Sequence, residues 1–171
     1  MEDRLDALIA IGEGKVAVDM IRKVVDTARR RPPEVPAELL HILALYATTL
    51  EATDALAEAE FVWTEALEVV SSASLETLDA ADAFLRYGLL LTKMHNYDGA
   101  VAKLKEAIHR TDALTGVEDL DRQILLARAW RGRAQALEAL GEFEQASNAL
   151  DVLMNIKRQI RFLVFATSRG A

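Results

Sequence analysis

The chain has 171 residues, of which 51% are hydrophobic, and it carries a formal net charge of −7. This length and apolar content are sufficient for one domain with a buried core and exclude a disordered tail. The acidic charge argues against non-specific nucleic-acid binding, and the absence of cysteine excludes disulfides and thiolate metal sites.

The N-terminus and the most apolar window bear on the cellular address. "MEDRLDALIAI" lacks the basic segment of a signal peptide, and "LLHILALYATTL" is only 12 residues long, too short to span a bilayer. We therefore expect a cytoplasmic protein that binds neither membranes nor nucleic acids.

Apolar residues recur at helical spacing along almost the whole chain, and no segment is typical of a strand. Short turn signals divide this pattern: Pro36 suits a first helical position, "SSAS" offers N-caps, Gly116 is a helix stop, and Thr115 with Glu118 could form a capping box. The sequence predicts eight helices, at residues 2–11, 15–30, 36–52, 55–71, 75–93, 97–114, 119–140 and 143–165.

The stretch that joins the first two helices and begins the second, "IGEGKVAVDM", is similar to the end of a phosphate-binding loop. Such a loop needs a glycine where Ile9 stands and a serine or threonine where Val16 stands, and a strand should precede it. We interpret the segment as a turn between two helices, with Lys15 in solvent.

Four segments of the chain align in one frame. Each has a small alanine after a turn, at Ala17, Ala59, Ala100 and Ala146, spaced 42, 41 and 46 residues apart. Four residues later come Ile21, Trp63, Leu104 and Leu150. In this frame Ala100 is expected in a tight helix–helix contact, and Lys103 is expected to point outward.

This pattern resembles the tetratricopeptide repeat (TPR), which has a large residue, two spacers, Leu-Gly, two spacers and Tyr, then Ala, three spacers and Phe after a turn. The most specific match is Phe84-x2-Tyr87-Gly88-x2-Leu91 with Ala100-x3-Leu104, and related matches begin at Leu43 and Trp130. The resemblance covers nearly the whole chain. It implies an all-α fold, a right-handed superhelical solenoid of antiparallel helical hairpins.

The repeats depart from the family pattern in length. They are longer than the usual 34 residues, and Ser71, Asp112 and Arg158 stand where a closing proline is usual. Arg133 also occupies a normally apolar position. The spacing resembles long-repeat TPR variants such as those of kinesin light chains and several bacterial regulators.

We expect residues 1–171 to form a single domain. It comprises a truncated first hairpin at 1–31 and further hairpins at 36–72, 75–114 and 119–165.

The resemblance implies that the first helix of each hairpin lines a concave groove. The expected peptide- or partner-binding positions are His41, Thr48, Glu51, Asp82, Leu85, Arg86, Leu89, Lys93, Arg128, Arg131, Gln135 and Glu138. The groove would be acidic in its N-terminal part and basic in its C-terminal part. The alternative is an ordinary solvated helix face. Ala44 and Thr48 stand where carboxylate-clamping TPR domains carry Lys and Asn, so that clamp is not expected.

No constellation of residues points to catalysis. His41, His95 and His109 lie on different elements without metal-ligand spacing, and no serine is flanked as in a nucleophile elbow. We expect no enzyme, cofactor or metal. The predicted function is a protein–protein interaction module, a scaffold or adaptor, and the alternative is a small dedicated export chaperone.

The C-terminal segment differs from the rest of the chain. After Asp151 it has four basic residues and no acidic one, and Phe162, Leu163, Val164 and Phe165 form an apolar run. A packed last helix, a homodimer contact through Ile160, Phe162 and Phe165, or a cut end of a longer protein would each explain it.

Overall fold

The computed structural model describes residues 1–115 and 119–169. Eight helices lie in these ranges, which contain no strand, and the expected all-α class is confirmed. They are α1 (Glu2–Ala10), α2 (Gly14–Arg30), α3 (Pro36–Ala52), α4 (Leu56–Ser72), α5 (Leu78–Lys93), α6 (Tyr97–Ala113), α7 (Asp119–Leu140) and α8 (Phe143–Arg169). None of these helices is long and apolar enough to cross a membrane.

The helix boundaries follow the turn signals closely. Pro36 begins α3 as expected, but α5 starts at Leu78 rather than at residue 75. The reason is Thr77, whose hydroxyl oxygen accepts the backbone N–H of Ala80 at 3.2 Å and so fixes the cap. The expected helix stop at Gly116 and the capping box of Thr115 with Glu118 depend on residues outside the described ranges.

The turn inside each helical hairpin has the same backbone conformation. One residue, five positions before each frame alanine, has a left-handed φ; these are Gly12 (84°), Asp54 (61°), His95 (62°) and Gly141 (80°). The next N–H bonds back to a carbonyl near the end of the preceding helix, in the pairs Glu13–Leu8, Ala55–Leu50, Asn96–Leu91 and Glu142–Leu137, at 2.8–2.9 Å. The turns therefore repeat with the frame read from the alanines.

The two glycines of "IGEGKVAVDM" are required for different physical reasons. Gly12 supplies the left-handed turn, and nothing lies within 4 Å of a Cβ placed there. A Cβ at Gly14 would lie 2.6 Å from Cγ2 of Thr53, so glycine permits a close approach to the α3–α4 turn. Lys15 is exposed in the first turn of α2, where a solvated residue was expected.

The first compact unit, Met1–Leu75, contains α1 to α4. Consecutive helices pack together, and α1 also contacts α3. Its core includes Leu5, Ile21, Val25, Leu40 and Leu43, each at most 2% exposed.

The second unit begins at Glu76 and contains α5 to α8. Consecutive helices again pack together, and α5 also contacts α7. Two glycines permit close approaches: a Cβ on Gly88 would lie 2.6 Å from Cγ of Leu104, and one on Gly132 would lie 2.7 Å from Cδ2 of Leu89. The assignment of the whole chain to a single domain stays a prediction.

The four frame alanines, Ala17, Ala59, Ala100 and Ala146, are at most 2% exposed, as close helix packing requires. The expected outward position of Lys103 is wrong. This side chain is half-buried, and its ammonium lies 5.9 Å from the ring centre of Phe84 and 5.5 Å from that of Tyr87. A long aliphatic stem lets a charged residue cover apolar surface in this way.

Candidate functional site

The expected groove residues of the first unit lie on α3, and two of the three form hydrogen bonds within their own hairpin. His41 is exposed. The Thr48 hydroxyl donates to the carbonyl of Ala44 in its own helix at 2.9 Å. Glu51 is half-buried and accepts the indole N–H of Trp63 at 2.7 Å. Thr48 and Glu51 therefore serve their own hairpin.

In the second unit, three expected groove residues form one ion-pair cluster between α5 and α7. Asp82 accepts Nε–H of Arg86 and, at 3.2 Å, an Nη1 hydrogen of Arg128. Asp82 and Arg128 each stand two residues before the large residue of their repeat. The repeat frame therefore brings them side by side when the two first helices pack together.

This cluster positions side chains more than it stabilises the fold. The side chains of Asp82, Arg86 and Arg128 are 24%, 40% and 45% exposed, and exposed pairs contribute at most about 1 kcal/mol. A guanidinium has five N–H donors, of which Asp82 engages one from each arginine. The cluster thus presents fixed guanidinium groups at the surface.

A cavity of about 180 Å³ lies beside the cluster between α5 and α7. Besides Asp82 and Arg128, its lining includes Asp79, Asp121 and Ile124. The sequence did not point to these three as site residues; Asp79 and Asp121 stand in first helical turns, where carboxylates are expected for the helix dipole. Ile124 lies one turn before Arg128 and is 43% exposed, so the helical spacing could have added it to the predicted face.

The remaining expected positions fall into two groups. Arg131, Gln135 and Glu138 are exposed along α7, and Lys93 is exposed in the last turn of α5. Leu85 is fully buried and Leu89 is half-buried against Gly132, so neither belongs to an accessible groove. We call the candidate site the α5–α7 surface. It comprises Asp79, Asp82, Arg86, Lys93, Asp121, Ile124, Arg128, Arg131, Gln135 and Glu138.

A polar cluster in the first unit joins α2, α3 and α4. Arg22 donates Nε–H to the Tyr46 hydroxyl at 3.0 Å and an Nη2 hydrogen to Glu58 at 3.2 Å, while Tyr46 donates its own hydroxyl hydrogen to Glu58. The hydrogen bond from Tyr46, helped by Arg22, lowers the pKa of Glu58 below its ordinary value. Burial raises the pKa of Tyr46. The phenol is the only neutral member of this cluster, so the contacts fit a structural role.

The last helix exposes an apolar face. In the α1–α2 and α5–α6 hairpins, the residues four and eight positions after the alanine are Ile21, Val25, Leu104 and Ile108, all at most 7% exposed, and the following helix packs on the same α2 or α6. Their equivalents on α8, Leu150 and Met154, are 39% and 52% exposed. Farther along, Phe162 and Phe165 are 72% and 53% exposed, while Ile160 is half-buried.

Two further observations concern metal sites and the histidines. Within residues 1–115 and 119–169, no group of three or more His, Cys, Asp or Glu side chains is arranged to hold a metal ion. His95 contacts the hydroxyl of Tyr97 at 2.7 Å through Nδ1.

Comparison with known proteins supports the fold alone. The sequence matches no protein-family model and no curated protein. Solved structures similar to the chain include BtubC (BKLC) from P. vanneervenii, with a TM-score of 0.60 and 17% identity over 92% of this chain and 78% of that one. Two others are forms of a Podosopora anserina protein of nearly identical TPR-like repeats, described as a kinesin light chain. The form with a single substitution has a TM-score of 0.61 and 14% identity, covering 94% of each chain; the other has 0.60 and 14%, covering 92% of this chain and 93% of that one. The chain therefore has a TPR-like helical-repeat fold.

Proposed function

We propose that the protein is a non-enzymatic interaction module that holds a peptide or a helix of a protein partner on the α5–α7 surface. The observation that carries this proposal is the cluster of Asp82 with Arg86 and Arg128 beside an open cavity. Protein-interaction scaffolds are the function that a TPR-like fold suggests.

The charges of this surface indicate which chemical groups its ligand should carry. Arg128 and Arg131 offer guanidinium donors to carboxylates, whereas Asp79 and Asp121 favour a basic or amide group at the other end. Ile124 adds an apolar contact between them. A peptide that carries an acidic residue, an apolar residue and a basic residue in this order would match all three.

The test is capture of partners from the native host by the full chain and by an Arg128→Glu, Arg131→Glu variant. We expect the variant to lose the partner, because reversed charges repel the ligand carboxylates. A Lys105→Glu variant, altered at an exposed position of α6, should retain it. Equal recovery by both variants would remove the α5–α7 surface as the binding site.

Three finer assignments accompany this proposal. The spacing of the frame alanines supports a long-repeat TPR variant. An adaptor and an export chaperone differ in what the chain retains, since a chaperone would hold one secreted client and an adaptor a stable cytoplasmic complex. Mass spectrometry of the captured partner separates the two and also tests the proposed cytoplasmic location.

We also propose a homodimer through residues 150–166 of α8. In a single chain, the exposed face of α8 leaves apolar side chains in water. Burying one phenylalanine contributes roughly 1.5–3 kcal/mol. In a two-fold antiparallel contact through this segment, Asp151 of one copy would lie near the basic residues of the second copy, Lys157, Arg158 and Arg161. The two-fold axis would repeat this acidic–basic contact once on each side of it.

Sedimentation tests the dimer. The intact chain should sediment as a dimer at tens of micromolar, whereas a Phe162→Glu, Phe165→Glu variant should be monomeric. Phe61, which is 67% exposed on α4, offers a matched control: Phe61→Glu should leave the dimer intact. A monomeric intact chain would contradict the proposal.

A further inference from the structure

The guanidinium of Arg133 on α7 is a half-buried positive charge that no ion pair within residues 1–115 and 119–169 neutralises. Its Nε–H is buried and donates to no residue that the structure describes. The guanidinium carbon lies 5.2 Å from the ring centre of Trp130, three residues earlier on the same helix. Contact with an aromatic ring holds a guanidinium in place but supplies no carboxylate. Arg133 has therefore lost part of its hydration without gaining a counter-charge.

The first unit has an equivalent position, and there the charges balance. Tyr46 and Arg133 lie at the same distance before the frame alanine of their own hairpins. The Tyr46 hydroxyl donates to Glu58 and accepts Nε–H of Arg22, and Glu58 also pairs with Arg22 at 3.2 Å. This place between α2 and α4 thus holds one cation, one anion and a neutral phenol.

The corresponding place in the second unit lies between α6 and α8, and its charges do not balance. In the alanine frame, Lys105 takes the position of the arginine of that cluster, and Gln145 takes the position of its carboxylate. Both side chains are exposed, and the Gln145 amide donates to Glu142 at 3.1 Å. Lys105 and Arg133 form no ion pair with a carboxylate of the described helices. Two cations therefore share a place whose nearby carboxylate, Glu142, is already engaged by an amide.

We propose that Arg133 and Lys105 form a binding site for a small, doubly charged oxyanion, either inorganic phosphate or a dicarboxylate. The anion accepts hydrogen bonds from the Nη groups of Arg133, from the Lys105 ammonium and from the side-chain amide of Gln145. It takes the place that the carboxylate of Glu58 has in the first unit. Because Trp130 already orients the guanidinium, little side-chain freedom is lost when the anion binds.

This anion site is distinct from the α5–α7 surface. Arg133 lies two residues from both Arg131 and Gln135, which corresponds to about 160° around an α-helix. Its guanidinium therefore lies on the side of α7 that faces away from that surface, and α7 packs against both α6 and α8. The site requires nothing of the proposed partner binding.

Titration of the isotope-labelled full chain with phosphate or with succinate, followed by NMR, tests this site. Sodium chloride keeps the ionic strength constant, so that general charge screening does not change. We expect saturable shifts of the Arg133 Nε–H and the Trp130 indole N–H at millimolar anion. Saturation by phosphate alone identifies a phosphate ligand, and saturation by succinate alone identifies a carboxylate ligand. The absence of saturation with either anion would overturn the proposal.

Variants of the chain test the residues of the site. Gln145→Glu should weaken anion binding at least about tenfold and raise the urea midpoint of unfolding without added anion, because the new carboxylate pairs with both cations. Ser147→Glu adds the same charge at an exposed position of α8 and should change neither quantity. Arg133→Gln should abolish the saturable shift of Trp130. Equal effects of Gln145→Glu and Ser147→Glu, or saturation that survives Arg133→Gln, would also overturn the proposal.

Discussion

Individual side chains in this protein act across helices, and Tyr46 is the clearest case. It is 2% exposed, yet its hydroxyl joins Arg22 of α2 to Glu58 of α4. In the repeat match that begins at Leu43, Tyr46 takes the position of Tyr87, and both side chains are buried. The partners of the Tyr46 hydroxyl depend on how three helices pack, and no spacing within one helix could have predicted them.

This contact predicts a stability effect that depends on pH. The pKa of Glu58 is lower in the folded chain, so its stabilisation is present above the ordinary value of about 4.3 and is lost as pH falls through the folded pKa. Tyr46→Phe should cost about 1–2 kcal/mol at pH 7 and less at about pH 3. Urea unfolding at both pH values measures the difference.

The Glu58→Gln background provides the control for this prediction. There the cost of Tyr46→Phe should be smaller and should no longer change between the two pH values. If Tyr46→Phe costs the same at both pH values in the parent chain, the pKa of Glu58 does not depend on the hydrogen bond from Tyr46.

The helices themselves were largely predictable, because each begins and ends at local signals. Pro36, the intrahelical spacing of apolar residues and the glycines at 12 and 141 are all visible in the sequence. The predictions from the sequence failed where contacts between helices determine the position of a side chain. Lys103 follows an outward spacing but lies over two aromatic rings, and Leu85 was placed in the groove but is buried. The cavity beside Asp82 also needs two helices to exist.

The alanine frame makes a prediction at the scale of the helix pair. Ala100 is fully buried, so Ala100→Leu should overpack α5 against α6 and cost about 1–3 kcal/mol. Ala102 is exposed two residues later on the same helix, and the identical change there should shift stability by at most about 0.5 kcal/mol. Thermal or urea unfolding of both variants decides; equal effects would show that the frame is wrong.

For the molecule as a whole, the fold was accessible from four aligned segments, since a repeat multiplies a weak pattern. The candidate site was accessible only in part. Asp82, Arg86 and Arg128 were expected on one face, and they do meet. Thr48 and Glu51 were also expected to bind a partner, but they form hydrogen bonds within their own hairpin. A side chain's hydrogen-bond partner is set by neighbouring helices, which the repeat pattern does not specify.

Site-specific cross-linking can test whether a protein partner lies on the α5–α7 surface. A photo-reactive amino acid replaces Gln135, exposed on α7, or His109, exposed on α6, and the full chain is irradiated in the native host. We expect a discrete cross-linked partner from position 135 and none from position 109. The same product from both positions, or a product from position 109 alone, would contradict it.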